Sequence, residues 1–459
     1  MRNLVRFFGA ALLSLIMITP AAAGSPKMTR YISPAGHEFF HVPMADAKRT
    51  AVAMTWKSGL PTGPGLHEAS ARLGIELMLS GGAGGLPPDE ISADFEDLDA
   101  GSRLWVQPGE IRGFVVAPDD QLERAAEIAN LVLARPDLDE KWLEREKRNL
   151  IRDTRIRNAT ATGLAWRLAR EITLDDHPYK RFWTAAPAQG IRDVSAPQLG
   201  AWHQDAFGTD DLTITAAGAA TPASVASAID LALAGLPASA GAHPLAFAGP
   251  TIRPGTIVLH DPDSPKSLIM ALGDLPVTAA GDDAVYRIAT AVLGLGKQSR
   301  LFKAIRSQLR AAYGFGAGME TMTRDHRLIR MGGEVDTALL PQALDAMRRS
   351  YEAFRVNGIS QEEFPVARNA YLQRIEQGLK RPAGVATMLM ENRLSARSAA
   401  EFENIAAHIA ALERTSVNAT IAAAYPPYDE MLTIVVTPDA DAIPDACVIT
   451  VVDDWRRCF

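Results

Sequence analysis

Cysteine is scarce in this chain, and so is any surplus of positive charge. Cys447 and Cys458 are the only cysteines in 459 residues, and both lie near the end. They can staple the tail and nothing more. In an oxidising compartment they form a candidate disulfide closing a small loop; otherwise they are two free thiols. The 47 basic residues are outnumbered by 54 acidic ones, for a net charge of −7. That balance offers no basic surface for nucleic acid or an anionic membrane. Beyond the first 23 residues no apolar run approaches the ~20 residues that span a bilayer, which excludes stable membrane insertion of the mature chain.

The N-terminus has the layout of an export signal. Arg2 and Arg6 precede an apolar run over residues 7–18, and Ala21-Ala22-Ala23 offers a small-residue cleavage site. The run is too short for a transmembrane anchor. No cysteine follows it to carry a lipid. Residues 1–23 therefore read as a signal peptide, and the mature protein is expected to be soluble and, in a bacterium, periplasmic.

What is present is globular in composition, 47% hydrophobic and 22% charged, and too long for one typical core. The chain also repeats itself. Gly36, His41 and Pro43 recur as Gly255, His260 and Pro262, in segments that both continue into a basic turn, an apolar strand (51–56 and 268–272), a Gly/Pro loop and a long helical pattern. A repeat of that length predicts two homologous domains rather than a solenoid. Residues 235–244, rich in Gly, Pro, Ala and Ser, read as a flexible connector. The expected organisation is 24–234, a linker at 235–254, and 255–459. Residues 211–217 and 431–436 are β-rich; residues 122–133, 139–154 and 344–354 are amphipathic helices. Strands and helices mix without a regular βαβ rhythm, so the class is α+β.

Two motifs are deceptive. His37-Glu38-Phe39-Phe40-His41 spells H-E-x-x-H, which binds zinc only on a helix. Pro34, Gly36 and Pro43 leave no room for one, and Phe39, Phe40 and Val42 favour a strand, where the histidines would stand ~13 Å apart. Leu293-Gly294-Leu295-Gly296-Lys297 hints at a phosphate loop, but Ala291 and Gln298 stand where its pattern needs Gly and Ser or Thr.

Residues 68–79 are helical in pattern, with positions 73, 76 and 77 on one face. Lys57-Ser58-Gly59 and Gly65-Leu66-His67-Glu68 lead in, and Met78-Leu79-Ser80-Gly81-Gly82 lead out. This segment resembles the zinc helix of the pitrilysin/insulinase-type peptidases, whose motif is H-x-x-E-H. The two histidine positions fall on Leu73 and Leu77, and the central glutamate survives as Glu76. Asp153 stands at the spacing of the family's third ligand, and Glu146 matches a supporting glutamate. Catalytic zinc needs three protein ligands and a water; two carboxylates and no imidazole should hold it poorly. The other reading is a core helix that never bound metal, with Leu73 and Leu77 simply buried. Both readings place no metal and no cofactor in this chain.

Ser299-Arg300-Leu301-Phe302, then Ile305-Arg306, then Tyr313, resemble a second segment of that family, in which an Arg and a Tyr reach a zinc site, bind substrate backbone and stabilise the tetrahedral intermediate. A guanidinium and a phenol suit developing oxyanion charge, and Gly314, Gly316 and Gly318 would let a peptide approach. Taken alone, Arg306 is a solvated helix residue and Tyr313 a half-buried strand residue.

The resemblance covers nearly the whole mature chain. It implies two α/β-sandwich domains of the pitrilysin/mitochondrial-processing-peptidase type. It further implies a non-catalytic subunit that lends Arg306 and Tyr313 to a homologous H-x-x-E-H-bearing partner holding the zinc, acting on peptide or unfolded polypeptide. A peptide-binding or scaffold homodimer is the alternative. A metalloenzyme using unrecognised ligands such as His67 or His177 ranks last.

Overall fold

The computed structural model describes residues 26–57, 69–107, 109–175, 177, 180, 188–210, 212–238, 247–276 and 283–459. The signal-peptide reading of 1–23, the loop at 58–68 with His67, and residues 239–246 of the connector lie outside them.

The first half runs β1 (Thr29–Ile32), β2 (Glu38–Pro43), β3 (Arg49–Lys57), α1 (Ser70–Ser80), α2 (Pro88–Asp97), β4 (Gly101–Gln107), β5 (Glu110–Pro118), α3 (Leu122–Ala134), α4 (Glu140–Asn158), α5 (Ala161–Leu174), α6 (Ala188–Asp193), α7 (Ala196–Ala206), β6 (Thr213–Gly218) and α8 (Pro222–Leu233). The second runs β7 (Gly255–His260), β8 (Ser267–Pro276), α9 (Asp283–Gly294), a π-helical segment (Phe302–Gln308), β9 (Gly316–Thr321), β10 (His326–Val335), α10 (Leu340–Asn357), α11 (Glu363–Leu379), α12 (Pro382–Leu394), α13 (Ala399–Glu403), α14 (Ile405–Ala411), α15 (Arg414–Ala424), β11 (Leu432–Thr437) and β12 (Cys447–Ile449).

The sheets show why the sequence repeats. Their orders are β1-β2-β6-β3-β5-β4 and β12-β7-β11-β8-β10-β9. Five strands correspond one to one. His41 pairs in parallel with Ala216 of β6, and His260 pairs in parallel with Thr437 of β11. The outer strand differs: β1 comes from before the repeat and runs antiparallel to β2, whereas β12 comes from after it and runs parallel to β7. The α+β class expected from the sequence is the one observed. His37 immediately precedes β2 and His41 lies within it, so neither is on a helix.

Central strands are buried on both faces. In β3, Val52, Met54 and Trp56 pack into the first-half core with α1, α3 and α8, while Ala51 and Ala53 face the other way. That second face is covered by α12, through Val385, Ala386, Leu389 and Met390, with Thr215 Oγ1 donating to the Ala386 carbonyl at 2.9 Å. Reciprocally, α5 lays Ala165, Leu168, Ala169 and Ile172 on Leu268, Met270 and Leu272 of β8 and on Ile434 and Val436 of β11. Each half thus completes its core with a helix from the other, burying apolar area that neither sheet could cover alone.

This exchange also fixes the connector. The stretch read as flexible, 235–244, lies mostly outside the described residues, and the residues that follow it run along α5. Thr251 N donates to the Thr173 carbonyl at 2.8 Å, and Arg253 reaches Asp175 at 3.2 Å. The second cysteine ends a short 3₁₀ stretch, Val452–Cys458, and Cys447 is bonded to Cys458 with their Cα atoms 5.6 Å apart. No helix of the described residues is long and apolar enough to cross a membrane.

Candidate functional site

Helix α1 is where the structure tests the metal-site spacing. It carries a glycine in mid-helix, Gly74, because the Trp202 ring of α7 lies 2.1 Å from where a Cβ would stand. That close approach seats α1 deeply. Leu73 and Leu77 are both 0% exposed and pack among Leu143 and Leu150 of α4 and Ile191, Val194 and Leu199. They are structural apolar contacts with no donor atom to offer. Among the described residues no group of three His, Cys, Asp or Glu side chains could hold a metal, and the side chains present do not fit zinc.

The surviving acids lie on adjoining helices but are differently occupied. Glu146, nearly buried, accepts from Ser80 Oγ at 3.0 Å, Arg145 Nε at 2.7 Å and Asn149 Nδ2 at 3.1 Å. These bonds tie α4 to the end of α1, a structural use of the carboxylate. Asp153 is exposed and pairs with Arg152 at 3.1 Å. Glu76 keeps contact with solvent, yet protein packed around its carboxyl pushes its pKa up. The Arg72 guanidinium opposes that rise, and Glu146 and Asp153 add to it. His177 is elsewhere, its ring 4.8 Å from that of Phe247.

Beside Glu76 opens a cavity of about 460 Å³ that the sequence did not announce. Arg72 of α1, Arg157 of α4, and Arg167 and Arg170 of α5 line it, together with Trp105 of β4 and Trp166 of α5. A tight turn brings the arginines together. Helix α4 ends at Asn158, Thr160 caps α5 by accepting from Gly163 N at 3.0 Å, and Gly163 leaves room for the Arg157 carbonyl, 1.9 Å from where a Cβ would be. Burial, opposed by Glu320 and aided by Arg157, brings the Arg170 guanidinium down to about 10. Arg72 is also lowered, by burial and then by Arg157. The one legible hint was the i, i+3 spacing of Arg167 and Arg170.

In the second half, Arg306 and Tyr313 come together. Arg306 sits in the π-helical segment, and its Cζ lies 5.7 Å from the centroid of the Tyr313 ring. Tyr313 is 87% exposed in the connection before β9, not half-buried in a strand. The flanking motif is structural: Arg300 pairs with Glu363 at 2.6 Å and donates to the Gly358 carbonyl at 2.8 Å, and Ser299 Oγ donates to the Gly296 carbonyl. Of the three glycines that follow, Gly314 has open space where a Cβ would be, but Gly316 faces the Gly294 carbonyl at 2.4 Å and is needed for packing.

Residues 193–371 match the sequence family described as Peptidase M16 inactive domain. That stretch runs from α6 to α11 and contains Arg306 and Tyr313. The fold is similar to the crystal structure of a peptidase M16 inactive domain from Pseudomonas fluorescens, with a TM-score of 0.79 at 17% identity over 90% of this chain and 98% of that one. A protease from Helicobacter pylori gives a TM-score of 0.75 at 16% identity, over 90% and 100%. The periplasmic protease PqqL from Escherichia coli gives 0.70 at 14%, covering 94% of this chain and 50% of PqqL. At these identities the likeness establishes the shared M16-like two-domain fold. No curated protein matches the chain in sequence.

Proposed function

We propose that this protein is the non-catalytic subunit of an exported, two-subunit zinc endopeptidase, shaping the chamber and lending Arg306 and Tyr313 to the metal site of a homologous H-x-x-E-H-bearing partner. The observation that carries the reading is an asymmetry within one chain. The positions matching the metal helix are sealed leucines, while the Arg306–Tyr313 pair is adjacent and accessible. A guanidinium and a phenolic hydroxyl offer forked and single donors to a peptide carbonyl as negative charge develops on it. The stretch that matches a family described as an inactive peptidase domain, residues 193–371, holds Arg306 and Tyr313 and lies outside the metal helix, which supports placing the pair in the half that carries no metal. PqqL, a periplasmic protease of which this chain spans half, supports both export and the need for a second unit of this shape.

Native capture of the protein from the periplasm, with its partner identified by mass spectrometry, tests the assembly. A similar-sized partner bearing H-x-x-E-H is the expected result. In the reconstituted complex, Arg306→Ala should lower turnover about a hundredfold, the scale of losing an oxyanion donor, without dissociating the subunits. Unchanged turnover would sink the role. Recovery of self-dimer alone would favour a peptide-binding or scaffold homodimer, with the same pair as binding residues.

A further inference from the structure

We propose that the cavity between α1, α4, α5 and β4 is an anion subsite that selects acidic side chains of a bound, extended polypeptide. The inference rests on the reading that this chain handles peptides, and not on which partner it assembles with.

The charge of the walls carries the argument. Among the lining residues Glu76 is the single acid, against Arg72, Arg157, Arg167 and Arg170. The surroundings offset this incompletely. Asp453 pairs with Arg167 at 3.0 Å. Asp153, which also acts on Arg72, is held by Arg152. Glu320 acts on both Arg170 and Arg330. Among the described residues, seven guanidiniums (Arg72, Arg145, Arg152, Arg157, Arg167, Arg170 and Arg330) therefore stand in or around the cavity against five carboxylates (Glu76, Glu146, Asp153, Glu320 and Asp453). A concave, partly desolvated site with that excess attracts anions and repels cations, because Coulomb interactions strengthen away from bulk water. The arrangement is the reverse of a metal site.

Shape favours a peptide carboxylate. A volume of about 460 Å³ suits a few side chains. One wall is Leu104, Trp105 and Val106 of β4, the last strand of its sheet, which among the described residues pairs only with β5. Its other edge presents main-chain donors and acceptors that can align an extended segment. Trp166, with Arg170 5.0 Å and Arg330 5.9 Å from its ring centroid, makes a flat wall stiffened by cation–π contacts. Guanidiniums on three helices then meet side-chain carboxylates through forked hydrogen bonds.

The test uses the mature full-length chain and three fluorescent peptides of equal length, alternating Val with Glu, Gln or Lys, read by anisotropy. The glutamate peptide should bind at least about tenfold more tightly than the glutamine one, with the lysine peptide weakest, and the preference should shrink with added salt. Arg157 is exposed at a helix end, so Arg157→Glu should keep the melting curve and abolish the preference; Arg72→Gln is the second variant. Equal binding of the glutamate and glutamine peptides, or a preference surviving both substitutions, overturns the subsite alone. Failure of all three peptides to bind overturns the peptide-handling reading with it.

Discussion

Arg324, in the turn between β9 and β10, crosses to the other half of the molecule and holds Glu110 of β5 at 3.0 Å. Glu110 also pairs with Arg112 at 2.8 Å, and Arg112 in turn bonds Glu391 of α12. Burial alone would lower the Arg112 pKa; Glu391 and Glu110 reverse this and hold it above its ordinary value. Glu110 is thus shared by two guanidiniums at the seam where the halves exchange helices.

Replacing Glu110 by Gln leaves both arginines short of a counter-charge in a site where the Glu110 and Arg112 side chains are 14% and 11% exposed. The expected cost is about 2 kcal/mol, below that of a fully buried pair. Glu391→Gln should cost less, because that side chain is 47% exposed and screened. Urea unfolding of both variants checks the order; a larger shift for Glu391→Gln would contradict it.

Placing histidines at positions 73 and 77 should not create a metal site. Leu73→His with Leu77→His places two imidazoles in the cluster of Leu143, Leu150, Ile191 and Val194, where they lose solvent and gain no partner. The nearby arginines repel a cation, and Glu146 already accepts three hydrogen bonds. The expected outcome is destabilisation of about 3 kcal/mol and no stoichiometric zinc by elemental analysis. Tight zinc uptake would show that the leucines alone suppress the site.

Much of this was legible in the sequence. The recurrence of Gly36, His41 and Pro43 at Gly255, His260 and Pro262 follows from two sheets of the same strand order. Leu73 and Leu77 marked α1, because a local motif keeps its spacing. The arginine cavity was not legible as a whole: Arg72 is far in sequence from Arg157, Arg167 and Arg170 and meets them only when α1 packs on α4 and α5. Nor was the helix exchange. An apolar face on α5 or α12 says that it will be buried, not on which sheet. Asp139 shows the usual uncertainty at a boundary, reading as the first helical residue but serving as the cap of α4, its carboxylate accepting from Lys141 N at 2.8 Å.

Acid should weaken the fold through two histidines. Burial lowers the pKa of His41, which is 1% exposed, and that of His203, whose Nε2 lies 2.7 Å from the Leu133 carbonyl. When the folded pKa lies below the unfolded one, the unfolded chain binds more protons as pH falls. Stability is then full above the unfolded pKa of about 6.5 and declines as pH drops toward the folded values. The urea midpoint should therefore fall between about pH 7 and about pH 5, and His41→Phe should flatten that slope. An unchanged slope would remove His41 from the account.

The glycines that imitate a phosphate loop should behave as packing residues. Gly294 ends α9 against β9, and a Cβ there would stand 1.8 Å from the backbone nitrogen of Ala317. Gly→Ala within a helix ordinarily stabilises by up to about 1 kcal/mol. Here the overlap is with backbone, which cannot swing away as a flexible side chain could, so steric cost wins. Gly294→Ala should destabilise by about 3 kcal/mol. Gly296 adopts φ +80° with no atom within 4 Å of its would-be Cβ, so Gly296→Ala should cost only the left-handed backbone strain, about 1 kcal/mol. Thermal unfolding of the pair distinguishes the terms: a large loss at Gly294 with a small one at Gly296 identifies crowding against β9. Because β9 begins three residues after Tyr313, the Gly294 variant should also move that ring and, in the proposed complex, lower turnover, whereas the Gly296 variant should not.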